Sequence, residues 1–132
     1  MCKPTIVANF DPRAGIILVT ATVYGRIELT SRLVFDTGAT HCMLPQKLIT
    51  ALGIPINPKN VVQTTTASSV TSSPLIMLPT IEVFGEKVDR VSCLIRDLPP
   101  LSGIDGLLGL SFLKHFNIEI NFDEGSISIE RF

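Results

Sequence analysis

Leu33-Val34-Phe35-Asp36-Thr37-Gly38-Ala39-Thr40 is the stretch whose reading decides the fold. Three apolar residues run into an acid, a hydroxyl residue and a glycine. Val34 and Phe35 favour a buried strand. Gly38 allows a turn or a close backbone approach that a side chain would block. Thr37 brings a hydroxyl that can hydrogen-bond inside a loop. The pattern describes a buried strand ending in a tight loop that fixes one carboxylate at the floor of a cleft.

The segments on either side read as further strands. Residues 5–10 form a short strand and 11–15 a Pro- and Gly-punctuated turn. Residues 16–24 and 27–35 pair around Gly25-Arg26. After the Asp36 loop, residues 42–44 make a brief strand. A helix follows over 45–52, with Pro45 at its first position, Leu48, Ile49 and Leu52 on one face, and Gly53 as its stop. Residues 61–66 and 73–78 flank a small polar tip and suggest a long exposed hairpin. A flexible Ser/Thr linker is the alternative. Strands over 80–84 and 88–96 enclose a turn at 85–87, and residues 98–105 form a Pro/Gly loop. Gly106-Leu107-Leu108-Gly109 leads into a helix over 110–116. Residues 117–122 and 126–130 alternate with period two around Asp123-Glu124-Gly125.

The two halves of the chain match in order. Val23-Tyr24-Gly25 corresponds to Val83-Phe84-Gly85, and the Asp36 loop corresponds in position to Gly106-Leu107-Leu108-Gly109. Leu48, Ile49, Leu52, Gly53 and Ile54 correspond to Phe112, Leu113, Phe116, Asn117 and Ile118. In both halves a short helix stops at a residue tolerant of left-handed geometry and re-enters with Ile.

On these residues the chain resembles the aspartic proteases, in their single-domain, retroviral-type (retropepsin-like) branch. The resemblance runs over residues 19–120. It implies an all-β fold: a closed acid-protease-like barrel with two short helices, a flap hairpin and a pseudo-twofold internal repeat, with residues 1–132 as one domain. It implies that Asp36 is catalytic and that Thr37 stiffens the paired loops. Gly38 brings a backbone N–H to the carboxylates, Ala39 and Thr40 complete the loop, and Thr40 can bond to Asp36. It also makes Thr66, Ala67, Ser68 and Ser69 the substrate-binding tip of the flap, and Leu107, Leu108 and Gly109 the second-half hydrophobic-hydrophobic-Gly element. Apolar residues near the cleft would form mainly hydrophobic side-chain pockets. No cofactor and no metal are implied.

Peptide hydrolysis by this chemistry needs two facing carboxylates that share a proton. The chain has one Asp-Thr-Gly, and neither Asp105-Gly106 nor Glu124-Gly125 has the same hydroxyl and strand context. The expectation is therefore a homodimer with Asp36 from each subunit on a twofold axis, acting on a peptide or protein substrate. Two features depart from the retroviral pattern. Ser68 and Ser69 stand where the flap tip is usually glycine-rich, and a full hairpin follows the second helix. Residues 5–10 and 126–132 are the candidate interface strands. The alternatives to an endopeptidase are a catalytically silent protease-like domain that binds peptides or assembles partners, and an unrelated small β-barrel binding module.

Composition narrows the classes further. The chain has 132 residues, 45% hydrophobic and 17% charged, and a formal net charge of -1. With no basic run, neither nucleic acid nor an anionic membrane is an expected partner. Few charges leave room for a subunit interface. The three cysteines form no CxxC and are odd in number, which argues against a disulfide framework and for a reducing, cytoplasmic setting. No signal-peptide pattern or bilayer-spanning apolar run is present. The Cys and His residues are too sparse for a zinc site. Cys42 as a nucleophile with His41 or His115 is poorly placed, because adjacent strand residues point to opposite faces.

Overall fold

The structure is a computed structural model, and it describes residues 6–65, 67–99 and 103–132. The chain runs through β1 (Ile6–Asn9), β2 (Leu18–Tyr24), β3 (Glu28–Phe35), β4 (Cys42–Leu44), α1 (Gln46–Ala51), β5 (Val61–Thr65) and β6 (Val70–Val83). It continues through β7 (Glu86–Ile95), β8 (Gly106–Leu108), α2 (Leu110–Leu113), β9 (Phe116–Asn121) and β10 (Ser126–Arg131).

Six strands close into a barrel in the order β2-β3-β8-β4-β7-β6, completed by pairing of β2 with β6, while β5 extends the sheet beyond β6. Alternation drives this arrangement. Val19, Ala21 and Val23 of β2 point inward between more exposed neighbours, as strand pleating requires. Leu33, Leu44, Ile49, Leu78, Leu108 and Phe112 are fully buried at the centre. Burial of such side chains is the dominant favourable term in folding.

The pairing displays the internal repeat. β2 and β6 pair so that Ala21 faces Val83 and Val23 faces Ile81, a register unchanged when the halves are exchanged. β4 of the first half lies parallel to β7 of the second, and β8 of the second lies parallel to β3 of the first. β4 and β8 cross where Met43 meets Leu107. Each half thus completes the other's sheet, which gives the all-β, acid-protease-like barrel with its pseudo-twofold axis.

The structure departs from the sequence reading in several places. β2 starts at Leu18 rather than residue 16. Pro45 is the N-cap of α1 in extended conformation rather than its first helical residue. The strands expected over 73–78 and 80–84 are one continuous β6. Pro79 passes through it because the ladder is interrupted there: Leu78 pairs with Val91 and Thr80 with Asp89, and the intervening Arg90 takes φ 57°. A residue without an N–H needs such a gap. α2 spans only Leu110–Leu113, and Phe116 enters β9 while its ring packs 5.1 Å from that of Phe112.

The terminal strands differ most. β10 lies between β1 and β9 in a three-stranded sheet, with Ile6 opposite Ile129 and Ile118 also opposite Ile129. Residues 126–129 of β10 are therefore paired on both edges within the chain, so this part of the expected interface strand offers no free hydrogen-bonding edge to a second subunit. Thr5, the first residue of the expected N-terminal strand, lies outside the described residues.

Candidate active site

β3 delivers Asp36 to its position. Its last residues pair in parallel with β8, Val34 opposite Leu107 and Phe35 opposite Leu108, and the Asp36 N–H donates to the Leu108 carbonyl at 3.0 Å. The chain then turns, with the Ala39 N–H reaching back to the Asp36 carbonyl. The Gly38 N–H donates to Asp36 Oδ1 at 2.9 Å. That N–H holds the carboxylate against its own loop. Asp36 is partly buried, Thr37, Gly38 and Thr40 are exposed, and Ala39 is intermediate.

The second-half element Leu107-Leu108-Gly109 braces this loop from behind. The Leu110 N–H donates to the Ala39 carbonyl at 2.7 Å and the Ser111 N–H to the Thr40 carbonyl at 3.0 Å. A methyl group on Gly109 would lie 2.3 Å from the His41 carbonyl oxygen, and one on Gly106 would meet the Met43 carbonyl. Only glycine allows the two halves to approach so closely here. Ser111, which is buried, accepts the Cys42 N–H and donates to the Ser92 carbonyl, tying α2, β4 and β7 together beneath the loop.

Above the loop, the β5–β6 hairpin forms the roof. Val61 to Thr65 pair with Pro74 to Val70, and the exposed tip carries Ala67, Ser68 and Ser69. Thr66, the remaining residue expected at the tip, lies outside the described residues. Between roof and floor is a cleft of about 470 Å³. Asp36, Gly38, Ala39 and Thr40 line one side of it and Val62 to Thr65 the other. The structure thus brings the Asp36 loop and the inner strand of the hairpin to one cavity, with Leu107 at its floor. Leu108 is fully buried and Gly109 is packed behind the loop.

The cleft is more polar than expected. Met43, Leu94, Leu107 and Val62 supply apolar surface, but His41 and Arg96 also line it. His41 Nδ1 lies 2.6 Å from Ser92 Oγ. Arg96 follows β7, its N–H donating to the Leu44 carbonyl and its Nε to Ser73 Oγ at 3.1 Å. The sequence reading passed over Arg96, Met43 and Leu94 as site residues. The available signal was the two-residue spacing of Leu94 and Arg96, which sets both on one strand face, but that face is identified only by the pairing of β7 with β4.

Cys42 is not set up as a nucleophile. It is fully buried, and burial pushes its thiol up, only partly offset by hydrogen bonds from Ser111 and the Gly109 N–H. Its strand partner Cys93 is held well above the usual thiol range by burial and then by Cys42 itself. Neither carries the thiolate that such chemistry needs.

With this geometry established, the comparisons with known proteins agree on the class. The family model described as Aspartyl protease matches residues 19–112, and the chain belongs to that family. Its fold is retropepsin-like. A solved retropepsin-like aspartic protease from Rickettsia conorii superimposes with a TM-score of 0.69, at 20% identity, over 97% of this chain and 91% of that one. No curated protein matches the chain. No helix among the described residues is long and apolar enough to cross a membrane.

Proposed function

We propose that residues 1–132 act as one aspartic endopeptidase domain that works as a homodimer, with Asp36 of each subunit contributing to a single catalytic pair. The observation that carries this reading is the setting of Asp36. It is the one carboxylate lining a cleft roofed by a hairpin, and its loop is held by Gly38 from within and by α2 from behind. A lone carboxylate cannot both take a proton from water and give one to a carbonyl oxygen in the same step. Two of them across a twofold axis can.

Like charges so close cannot both ionise, so the pair holds one proton and titrates as a unit. The ionised Asp36 takes a proton from a water trapped between the two, and that water attacks the scissile carbonyl carbon. The protonated Asp36 donates to the carbonyl oxygen. Collapse of the resulting gem-diol breaks the C–N bond as the nitrogen is protonated. Thr37 and Gly38 are exposed, as the meeting of two such loops requires. The hairpin tip at Ala67, Ser68 and Ser69 closes over the peptide, excludes water and pairs with its backbone.

Asp36→Asn tests this reading. It keeps the size of the side chain and removes the shared proton. Cleavage of a peptide library, followed by mass spectrometry, should fall at least about a thousandfold, the scale at which catalytic groups act, while the circular dichroism spectrum and sedimentation coefficient stay unchanged. Undiminished cleavage by the variant would overturn the mechanism. A wild-type protein that retains peptides without cutting any would favour the silent binding domain.

A further inference from the structure

Arg96 places a guanidinium in the wall of the cleft that Asp36 also lines, yet it forms no ion pair with any described carboxylate. Two ion pairs occur among the described residues, Arg13 with Asp11 and Arg131 with Glu86, and Arg96 takes part in neither. The residues outside the described set contain no Asp or Glu. Its Nε donates to Ser73 Oγ, but Nη2 is buried and has no hydrogen-bond partner. A guanidinium has five N–H donors in a planar fork matched to a carboxylate. To leave a buried donor of that fork unpaired is costly unless something else completes it. The same cleft carries apolar wall from Met43, Leu94 and Leu107, and a charge pair beside such surface is screened less than one in bulk water.

We infer that Arg96 is a specificity-determining residue of this cleft and that it selects peptides presenting a carboxylate beside the bond to be cut. The carboxylate is either an Asp or Glu side chain or the C-terminal carboxylate of the peptide. The inference rests on the proposed protease reading for its substrate, but not for its binding chemistry. Ser73 gives the contact a further consequence. It is buried in β6 opposite Val62, so Arg96 is fastened to the base of the hairpin that roofs the cleft. A carboxylate engaging the fork is bound by a group already positioned by the roof, and part of the ordering has been done in advance.

The test uses peptide pairs that differ only by Glu or Gln at one position around each cleaved bond, made with free and with amidated C-termini. They are compared as substrates of the wild type and as ligands of Asp36→Asn, which binds without cutting. At one position, Glu should exceed Gln about tenfold in both kcat/KM and affinity, as expected for a charge-assisted contact in a partly buried site. The advantage should shrink with added salt. It should collapse toward equality in Arg96→Met and persist in part in Arg96→Lys, which keeps the charge and loses the fork. If only the free C-termini are favoured, the terminal carboxylate is the group bound. Asp36-dependent cleavage with no preference for Glu or for a free C-terminus would overturn this inference and leave the protease reading standing. Preference in binding with no cleavage at all would do the reverse. A preference that survives Arg96→Met would place the carboxylate site elsewhere. Should Arg96→Met fail to fold, the wild-type peptide pairs, their salt dependence and Arg96→Lys decide the matter.

Discussion

At the scale of single residues, the site is shaped by close approach as much as by chemical groups. Gly109→Ala would put a methyl group 2.3 Å from the His41 carbonyl oxygen and 2.7 Å from that of Ala39, and backbone on both sides cannot give way cheaply. The expected cost is about 2–3 kcal/mol, typical of overpacking, with loss of whatever the Asp36 loop does. Gly85→Ala is the contrast. It has open space and φ +76°, so only left-handed strain applies, about 1 kcal/mol. Urea melts of the two variants check the ranking, and equal losses would mean that the close packing is not what requires glycine at 109. The sequence foretold the position of Gly109 through the repeat, but not the carbonyls it must accommodate, which belong to Ala39 and His41 in the other half. Asp36 was legible because its signal is local: a strand, an acid and a glycine in succession. Arg96 was not, because its neighbours are assembled by strand pairing and nothing adjacent to it in the chain marks a cleft.

At the scale of elements, the two halves are joined where β2 meets β6, and that junction has its own titration. The Tyr24 hydroxyl donates to Glu82 Oε1 at 2.6 Å. That bond, then loss of solvent, then the charges of Glu82 and Glu28 push the phenol up to about 12 from its usual 10.0. The folded state therefore favours the neutral phenol. Whatever stability this contributes is fully present below pH 10 and disappears as pH rises toward 12. Tyr24 is the one tyrosine and the chain has no tryptophan, so an ultraviolet absorbance titration reports it alone. The phenolate should appear near pH 12 in the wild type and closer to pH 10 in Glu82→Gln. A wild-type transition at the ordinary position would remove the strand-to-strand bond from the account. The other edge of β6, where it pairs with β7, marks where reading elements from sequence failed. The sequence suggests separate strands over 73–78 and 80–84, and β6 instead runs through Pro79 because Arg90 opposite leaves a gap in the ladder. Whether a proline ends a strand or is absorbed depends on the partner strand, which local sequence does not specify.

At the scale of the whole molecule, the terminal sheet and the proposed dimer make separable demands. In β10, Ile127 and Ile129 are buried in the same core as the barrel residues, and residues 126–129 are paired on both edges within the chain. The C-terminal strand thus belongs to the fold of one subunit. Ile129→Ala should cost about 2–4 kcal/mol as a core cavity. Because that loss is internal to the subunit, the Tm difference between variant and wild type should stay constant across a hundredfold range of protein concentration. A contribution made through an interface would instead change with concentration by mass action. The proposed catalytic pair behaves in the opposite way. If two Asp36 loops must meet, specific activity falls as the dimer dissociates, so dilution should depress cleavage per subunit in step with the sedimentation-derived dimer fraction. Thermal melts and cleavage measured on the same dilution series therefore assign each structure its role. A constant Tm difference with falling activity puts β10 in the subunit core and Asp36 at the axis. A Tm difference that varies with concentration moves β10 to the interface, and activity per subunit that does not change on dilution removes the axis from Asp36.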